Sequence, residues 1–320
     1  MGEMMQIRRR DVGKAEIRLT SRVFAVACIL FASLYIKTAL GAGLSDETAC
    51  EVAPDPSRIV AAGGSITEIL FLLGEEGKIV AVDRTSDYPA QVSNFPVIGY
   101  VRALSAEGVL SLEPSLVLGE DDMGPLEVVA QLESTGISIR RIPERHSARG
   151  IVDKIICVAE VLGYTESERG KISQRYLEQV SEIARIGKKA PADQRPKVAV
   201  IMALRDGVPF AAGSGTSADG VIEMAGGENV FSDFEGWKPV SLELMVGANP
   251  SIIVMPERGL RMSGGRESVL AHPSVRVTSA AKRDGLIVLD GMTLLGFGPR
   301  TLQASIDLSL QFDRVAGQKR

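Results

Sequence analysis

Residues 105–118 (SAEGVLSLEPSLVL) and 241–254 (SLELMVGANPSIIV) are two copies of one pattern, 136 positions apart (241 against 105). Ser105 and Ser241, Glu107 and Glu243, Pro114 and Pro250, and Ser115 and Ser251 fall in matching places. Both copies close on an aliphatic run. The residue before a proline is pushed out of the helical region, so each Pro marks a helix stop. A short unbroken apolar run after it suits a strand of a parallel sheet, buried on both faces. Each copy therefore reads as short helix, stop, buried strand. The spacing is too long for a solenoid period. It predicts two similar α/β lobes, with a ligand between them.

At 320 residues and 45% hydrophobic content the chain can fill two cores. Its N-terminus is organised differently. Arg8, Arg9, Arg10, Lys14, Arg18 and Arg22 precede an apolar run from Val23 to Ile36, and small residues follow at Ala39, Gly41, Ala42 and Gly43. Basic, apolar, small is the order of a secretory signal, and the run is shorter than the ~20 residues a membrane span needs. Residues 1–42 are therefore expected to be a cleaved signal peptide, with a retained anchor as the alternative. The chain carries a net charge of −4, and residues 1–42 hold seven of its basic and three of its acidic side chains. The remainder is thus more acidic still. An acidic, exported chain with 5% aromatic residues is a poor nucleic-acid binder. Export permits Cys50 and Cys157 to pair, but spacing alone does not fix a disulfide.

Residues 43–56, with Pro54 and Pro56, read as a flexible leader. In 57–164, strands are expected at Arg58–Ala62, Ile79–Val82, Leu116–Leu118 and Ser138–Ile142, with Ser65 capping the helix after the first. Strands alternating with helices of this size predict a doubly wound α/β lobe. Residues 165–190 carry apolar side chains at Ile172, Tyr176, Val180, Ile183 and Ile186, which predicts one long amphipathic helix between the lobes. A second α/β lobe over 191–320 opens at Val198–Met202 and adds strands at Ile252–Met255 and Leu286–Leu289. Its helices are expected near Ser217–Ala225 and Thr301–Val315. A helical connection predicts modest lobe motion. The loop from Gly213 to Gly220 is a poor dinucleotide fingerprint and reads as a strand-to-helix turn. There is no P-loop, C-x-x-C, H-E-x-x-H or G-x-S-x-G, so ATPase, hydrolase and thiol-redox machinery are not visible.

The order Arg58-Ile59-Val60, Gly63, Thr67-Glu68-Ile69, then Ser86-Asp87-Tyr88-Pro89, then Ser105-x-Glu107 and Pro114-Ser115-Leu116-Val117 resembles the helical-linker (class III) periplasmic substrate-binding proteins. These serve ABC importers of haem, siderophores and cobalamin. The stretches Val97–Gly108 and Leu294–Thr301 are similar to the haem-binding branch. The resemblance covers nearly all of 57–316. It implies two Rossmann-like lobes with mainly parallel sheets joined by one long helix, and a carrier, not an enzyme. Its ligand would be haem, captured between the lobes and delivered to an inner-membrane ABC permease dimer, with an outer-membrane haem receptor upstream. The alternatives are a ferric-siderophore or cobalamin carrier of the same class, or an exported enzyme with a Rossmann-like lobe.

The resemblance also assigns residues. Tyr100 matches the axial ligand to haem iron, and a phenolate is a hard anionic ligand suited to ferric iron. Since free tyrosine ionises near pH ~10, the phenolate needs nearby positive charge. Arg102 can supply it or meet a propionate. Phe297 can pack on the porphyrin face and Arg300 can meet propionates; the alternative is a tight Gly-Phe-Gly-Pro-Arg turn whose Arg caps or packs locally. Lys282, Arg283, Arg258 and Arg261 are candidates for steadying the tyrosinate from the second lobe. Glu107 and Glu243 match glutamates that meet arginines on the two permease subunits; each also suits a helix start. His146 and His272, the two histidines, read as surface residues, so one haem with five-coordinate iron is expected.

Overall fold

A computed structural model describes residues 49–317. The expected signal peptide and the first part of the leader lie outside the described residues. Among those described, no helix is long and apolar enough to cross a membrane.

Two sheets form the frame. The first comprises β1 (Ile59–Ala62), β2 (Ile79–Val82), β5 (Leu116–Glu120) and β6 (Ser138–Ile142), all parallel in the order β2-β1-β5-β6. Every residue of β1 is buried, as an unbroken aliphatic strand covered on both faces should be. Between β2 and β5 the chain makes a small antiparallel hairpin, β3 (Gly99–Tyr100) and β4 (Ala103–Leu104), pairing Tyr100 with Ala103. The second sheet runs β10-β8-β7-β11-β12, with β9 (Glu228–Asn229) beside the start of β7. Here β7 (Lys197–Arg205), β11 (Ile252–Pro256) and β12 (Leu286–Leu289) are parallel, while β8 (Val208–Ala212) and β10 (Trp237–Pro239) form an antiparallel edge.

The repeat is structural down to single residues. Helices Ala106–Leu110 and Leu242–Ala248 are capped by Ser105 and Ser241, each hydroxyl accepting from the backbone N–H three residues on at 3.3 Å. Glu113 and Asn249, at matching positions, both adopt left-handed backbone (φ 46° and 40°) before the buried prolines. β5 and β11 follow.

Three expectations need correction. First, 165–190 is not one helix. Glu166–Arg175 and Leu177–Ile186 meet at Tyr176, whose N–H bonds the Ser173 carbonyl, so the turn tightens there. The apolar stripe passes through this junction, and the periodicity could not reveal the break. Second, the leader is not loose from residue 49 onward. Cys50 is bonded to Cys157 on helix Ala148–Val161, the Ala53 N–H donates to the Val161 carbonyl, and Ala49 and Ala53 are buried. Third, Ser65 does not cap its helix. Helix Gly64–Leu73 starts two residues earlier than that cap implies, with Gly63 at the cap (φ 128°), where an added Cβ would stand 2.4 Å from the Glu120 carboxyl carbon.

One apolar core joins the lobes. It runs from Ile59, Ile66 and Leu70 through Ile155 and Val158 to Val198, Val221, Leu302 and Phe312. The outer face of each sheet has its own smaller core.

Candidate functional site

In the first sheet, β1 is flanked by β2 on one side and β5 on the other, so the chain reverses direction of growth between β1 and β5. Open α/β sheets place ligands outside the strand C-termini at such a switch point. A cavity of about 350 Å³ lies there, walled by both lobes. Arg102, Glu120, Asp121, Asp122, Glu144 and His146 come from the first lobe; Gly215, Thr216, Ser217, Trp237, Leu295 and Gly296 face them from the second.

Helix termini leave backbone N–H groups that anions can use. At helix Gly64–Leu73 they are taken internally. Gly63 N–H donates to Asp83 (3.1 Å), Gly64 N–H to the Thr85 hydroxyl (2.9 Å) and Ser65 N–H to Glu120 (3.2 Å). The Ser65 hydroxyl also donates to Glu120, at 2.6 Å. Burial drives the Glu120 carboxyl up to about 7, only partly opposed by the Lys154 charge and the Ser65 hydrogen bond. Lys154, fully buried, donates to Glu144, to the Ser65 hydroxyl (3.2 Å) and to the Phe297 carbonyl (3.2 Å). Glu144 is half-buried, and although that partial burial works against its charge, His146 and Lys154 hold its carboxyl below the ordinary range.

Asp83 organises the tyrosine hairpin. Its fully buried carboxylate accepts from Val101 N–H (3.0 Å), Thr85 N–H and hydroxyl, and the Ser86 hydroxyl. Tyr100, half-buried on that hairpin, accepts a hydrogen bond at its Oη from Arg102 Nη1 at 3.0 Å. Arg102 lines the cavity, so the phenol oxygen stands one hydrogen bond from the cavity wall. Asp122 takes the guanidinium from the other side, at Nε (2.6 Å) and Nη2. Burial disfavours the Arg102 cation, but the Asp122 hydrogen bond and charge outweigh it and raise its affinity for the proton.

Several assignments move. Phe297 is wholly buried, packed 4.9 Å from the His146 ring, so its face is not available to a ligand. An aromatic between two glycines in a turn gave no sign of this; its left-handed backbone (φ 47°) turns the ring into the core. Arg300 is committed elsewhere. Nε and Nη2 donate to Glu68 (3.0 and 2.6 Å), Nη1 donates to Asp290 (3.1 Å), and the guanidinium stacks 4.0 Å over Tyr88. It links helix Pro299–Gly317 to the first-lobe helix Gly64–Leu73. Lys282 and Arg283 precede β12, and Arg283 lines a separate cavity of about 290 Å³ with Lys197 and Ser251, at the opposite end of that sheet from the cleft. Arg258 and Arg261 sit exposed on the helix after β11, at the cleft end, with Arg261 3.6 Å from Glu257. His146 is no outer-surface residue: it walls the cavity and contacts Glu144 at 3.1 Å. His272 caps a surface turn, its Nε2 2.8 Å from the Gly207 carbonyl. Glu107 and Glu243 are both exposed in the first turns of their matched helices.

Trp237, Glu120 and Asp122 were not singled out from the sequence. Trp237 is the chain's one tryptophan, a scarcity that could have drawn notice. The acids are ordinary until the fold sets them on the cavity wall.

The profile of the periplasmic binding protein family matches residues 59–293. The chain belongs to that family, and its two sheet-based lobes joined through a helical segment have the class III architecture. Among solved structures it is similar to the periplasmic haem-binding protein RhuT from Roseiflexus sp. RS-1, with TM-score 0.76 and 34% identity over 81% of this chain and 99% of that one. It is also similar to BhuT, a periplasmic haem-binding protein solved with two haems, with TM-score 0.75 and 31% identity over 81% and 98%. HutB of Vibrio cholerae, another such protein, gives TM-score 0.70 and 32% identity over 80% and 98%. A cobalamin-binding protein of Halobacterium salinarum is 24% identical over 249 residues, which are 76% of this chain and 66% of that one. A substrate-binding lipoprotein of Bacillus subtilis is 24% identical over 63% of this chain and 64% of its own length. The chain thus spans slightly less than two thirds of these two relatives.

Proposed function

We propose that this protein is an exported haem carrier, without enzymatic activity, that delivers its ligand to an inner-membrane ABC permease. The observation that carries the reading is the Tyr100 phenol oxygen held 3.0 Å from the Arg102 guanidinium beside a cavity between two lobes. A charge-assisted hydrogen bond from a cation suits an oxygen that is to serve as an anionic ligand to ferric iron. Trp237 and Leu295 on the facing lobe give the cavity an apolar wall for a porphyrin. Glu107 and Glu243, exposed on matched helices of the two lobes, are the proposed contacts to paired permease subunits.

Titration of the purified protein with hemin tests this. Binding should shift the Soret band, bring in the charge-transfer bands of a tyrosinate-bound ferric haem, and quench Trp237 fluorescence. Tyr100→Ala should abolish the charge-transfer bands. An unchanged hemin spectrum in Tyr100→Ala would refute the ligand assignment. The Halobacterium relative supports a second reading, a cobalamin carrier. Tight binding of cyanocobalamin with no hemin shift would establish that one instead.

A further inference from the structure

We propose that Asp122 is a positioning residue: it clamps Arg102 so that one guanidinium N–H points at the Tyr100 oxygen, and it thereby sets the strength of ferric-haem binding. This rests on the haem reading above. Arg102 is a long side chain, 60% exposed, and such a chain samples many rotamers unless something fixes it. Asp122 Oδ2 engages both Nε and Nη2. Because the guanidinium is planar and rigid, fixing those two nitrogens fixes the direction of Nη1, which meets Tyr100 Oη at 3.0 Å.

Asp122 is itself held. Its loop is zipped to the tyrosine hairpin by Gly124 N–H to the Val101 carbonyl (3.0 Å) and Leu104 N–H to the Gly124 carbonyl (2.9 Å). The next residue, Met123, is buried with its sulfur packed under Gly119, where an added Cβ would lie 2.3 Å away. Val101 is anchored in turn by Asp83. The acid and the tyrosine therefore sit on one stiff support, with Arg102 as the adjustable piece between them.

Two effects of Asp122 on a Tyr100 phenolate have opposite signs. Its negative charge opposes the phenolate; its grip on Arg102 supports it. The charge is 45% exposed and acts past the guanidinium, so solvent weakens it. The Nη1 contact is direct and charge-assisted. Positioning should win.

The test is a double-mutant cycle in hemin affinity, read with the charge-transfer bands, on folded proteins checked by thermal melting. Asp122→Ala should weaken hemin binding roughly tenfold, the scale of losing one hydrogen bond to a charged group. Arg102→Ala should weaken it similarly. In the Arg102→Ala background, Asp122→Ala should cost nothing more. An unchanged or tighter affinity in the single Asp122→Ala variant would overturn the proposal. So would an equal loss in both backgrounds, which would mark Asp122 as a structural support of the loop. Tyr100→Ala, run in parallel, separates the two ideas. If its spectrum matches wild type, the haem–tyrosine reading fails and this proposal with it. If Tyr100→Ala loses the bands while Asp122→Ala is silent, this proposal fails alone.

Discussion

Lys154 is 1% exposed at its side chain and has three acceptors for three ammonium protons: Glu144, Ser65 Oγ and the Phe297 carbonyl. A buried pair is poor evidence of net stability, but removing one partner strands the other. Lys154→Met should therefore cost about 3 kcal/mol, seen as a lower urea midpoint at unchanged slope. Glu120 makes the opposite case. Its folded pKa, about 7, lies above the ordinary carboxylate value, so folding favours its protonated form. That contribution is whole below the unfolded pKa and is lost as pH rises through about 7. Wild type should thus lose stability relative to Glu120→Gln between pH ~5 and ~7.5, by at most ~3 kcal/mol, since water reaches the cavity wall. Paired denaturation curves at the two pH values check this. Tyr100 and Arg102 were readable at this scale because a motif marked them. Glu120, Lys154 and Asp83 were not, because burial gives them their character and no local pattern encodes burial of a charge.

Disulfide Cys50–Cys157 closes a separation of 107 residues and ties the leader to helix Ala148–Val161. Restricting an unfolded loop of that size is worth up to ~4–5 kcal/mol in the chain-entropy account. Cys50→Ser with Cys157→Ser should lower the melting temperature by roughly 5–15 °C, and reductant should lower the wild type to match. The repeated element shows how far local sequence reaches. Serine caps, first-turn glutamates, left-handed residues and proline stops all recur because each answers to its near neighbours. The junction at Tyr176 does not. Residues on both sides continue one apolar stripe, with Ile172, Ile183 and Ile186 buried, so periodicity gave no reason to divide them.

Across the molecule, Arg300 and Glu68 join the lobes. Glu68 is 6% exposed at its side chain; burial raises its pKa, and Arg300 opposes the shift without cancelling it. Arg300→Ala would leave Glu68 buried beside Asp290 and Asp87 without its cation. The expected loss is about 2–4 kcal/mol by chemical denaturation. It should ease as pH falls and Glu68 takes up its proton. A shared apolar core and this bridge tie the two lobes together. Permease docking also belongs to this scale. Replacing Glu107 and Glu243 together by alanine should leave the hemin spectrum intact and abolish uptake in vesicles carrying the permease.

The amino-acid order alone determined the alternation of strands and helices, their duplication in two lobes, and the serine caps and proline stops of the repeated element. Those features depend on backbone preferences and on apolar spacing within a few residues. Only the tertiary structure decided that Phe297 lies inside, that Arg300 bridges the two lobes, that His146 and Trp237 face the cleft, and that Asp122 grips Arg102. Each of these depends on residues from separate elements being brought together by the fold, where desolvation and charge pairing are set by neighbours that the chain order does not name.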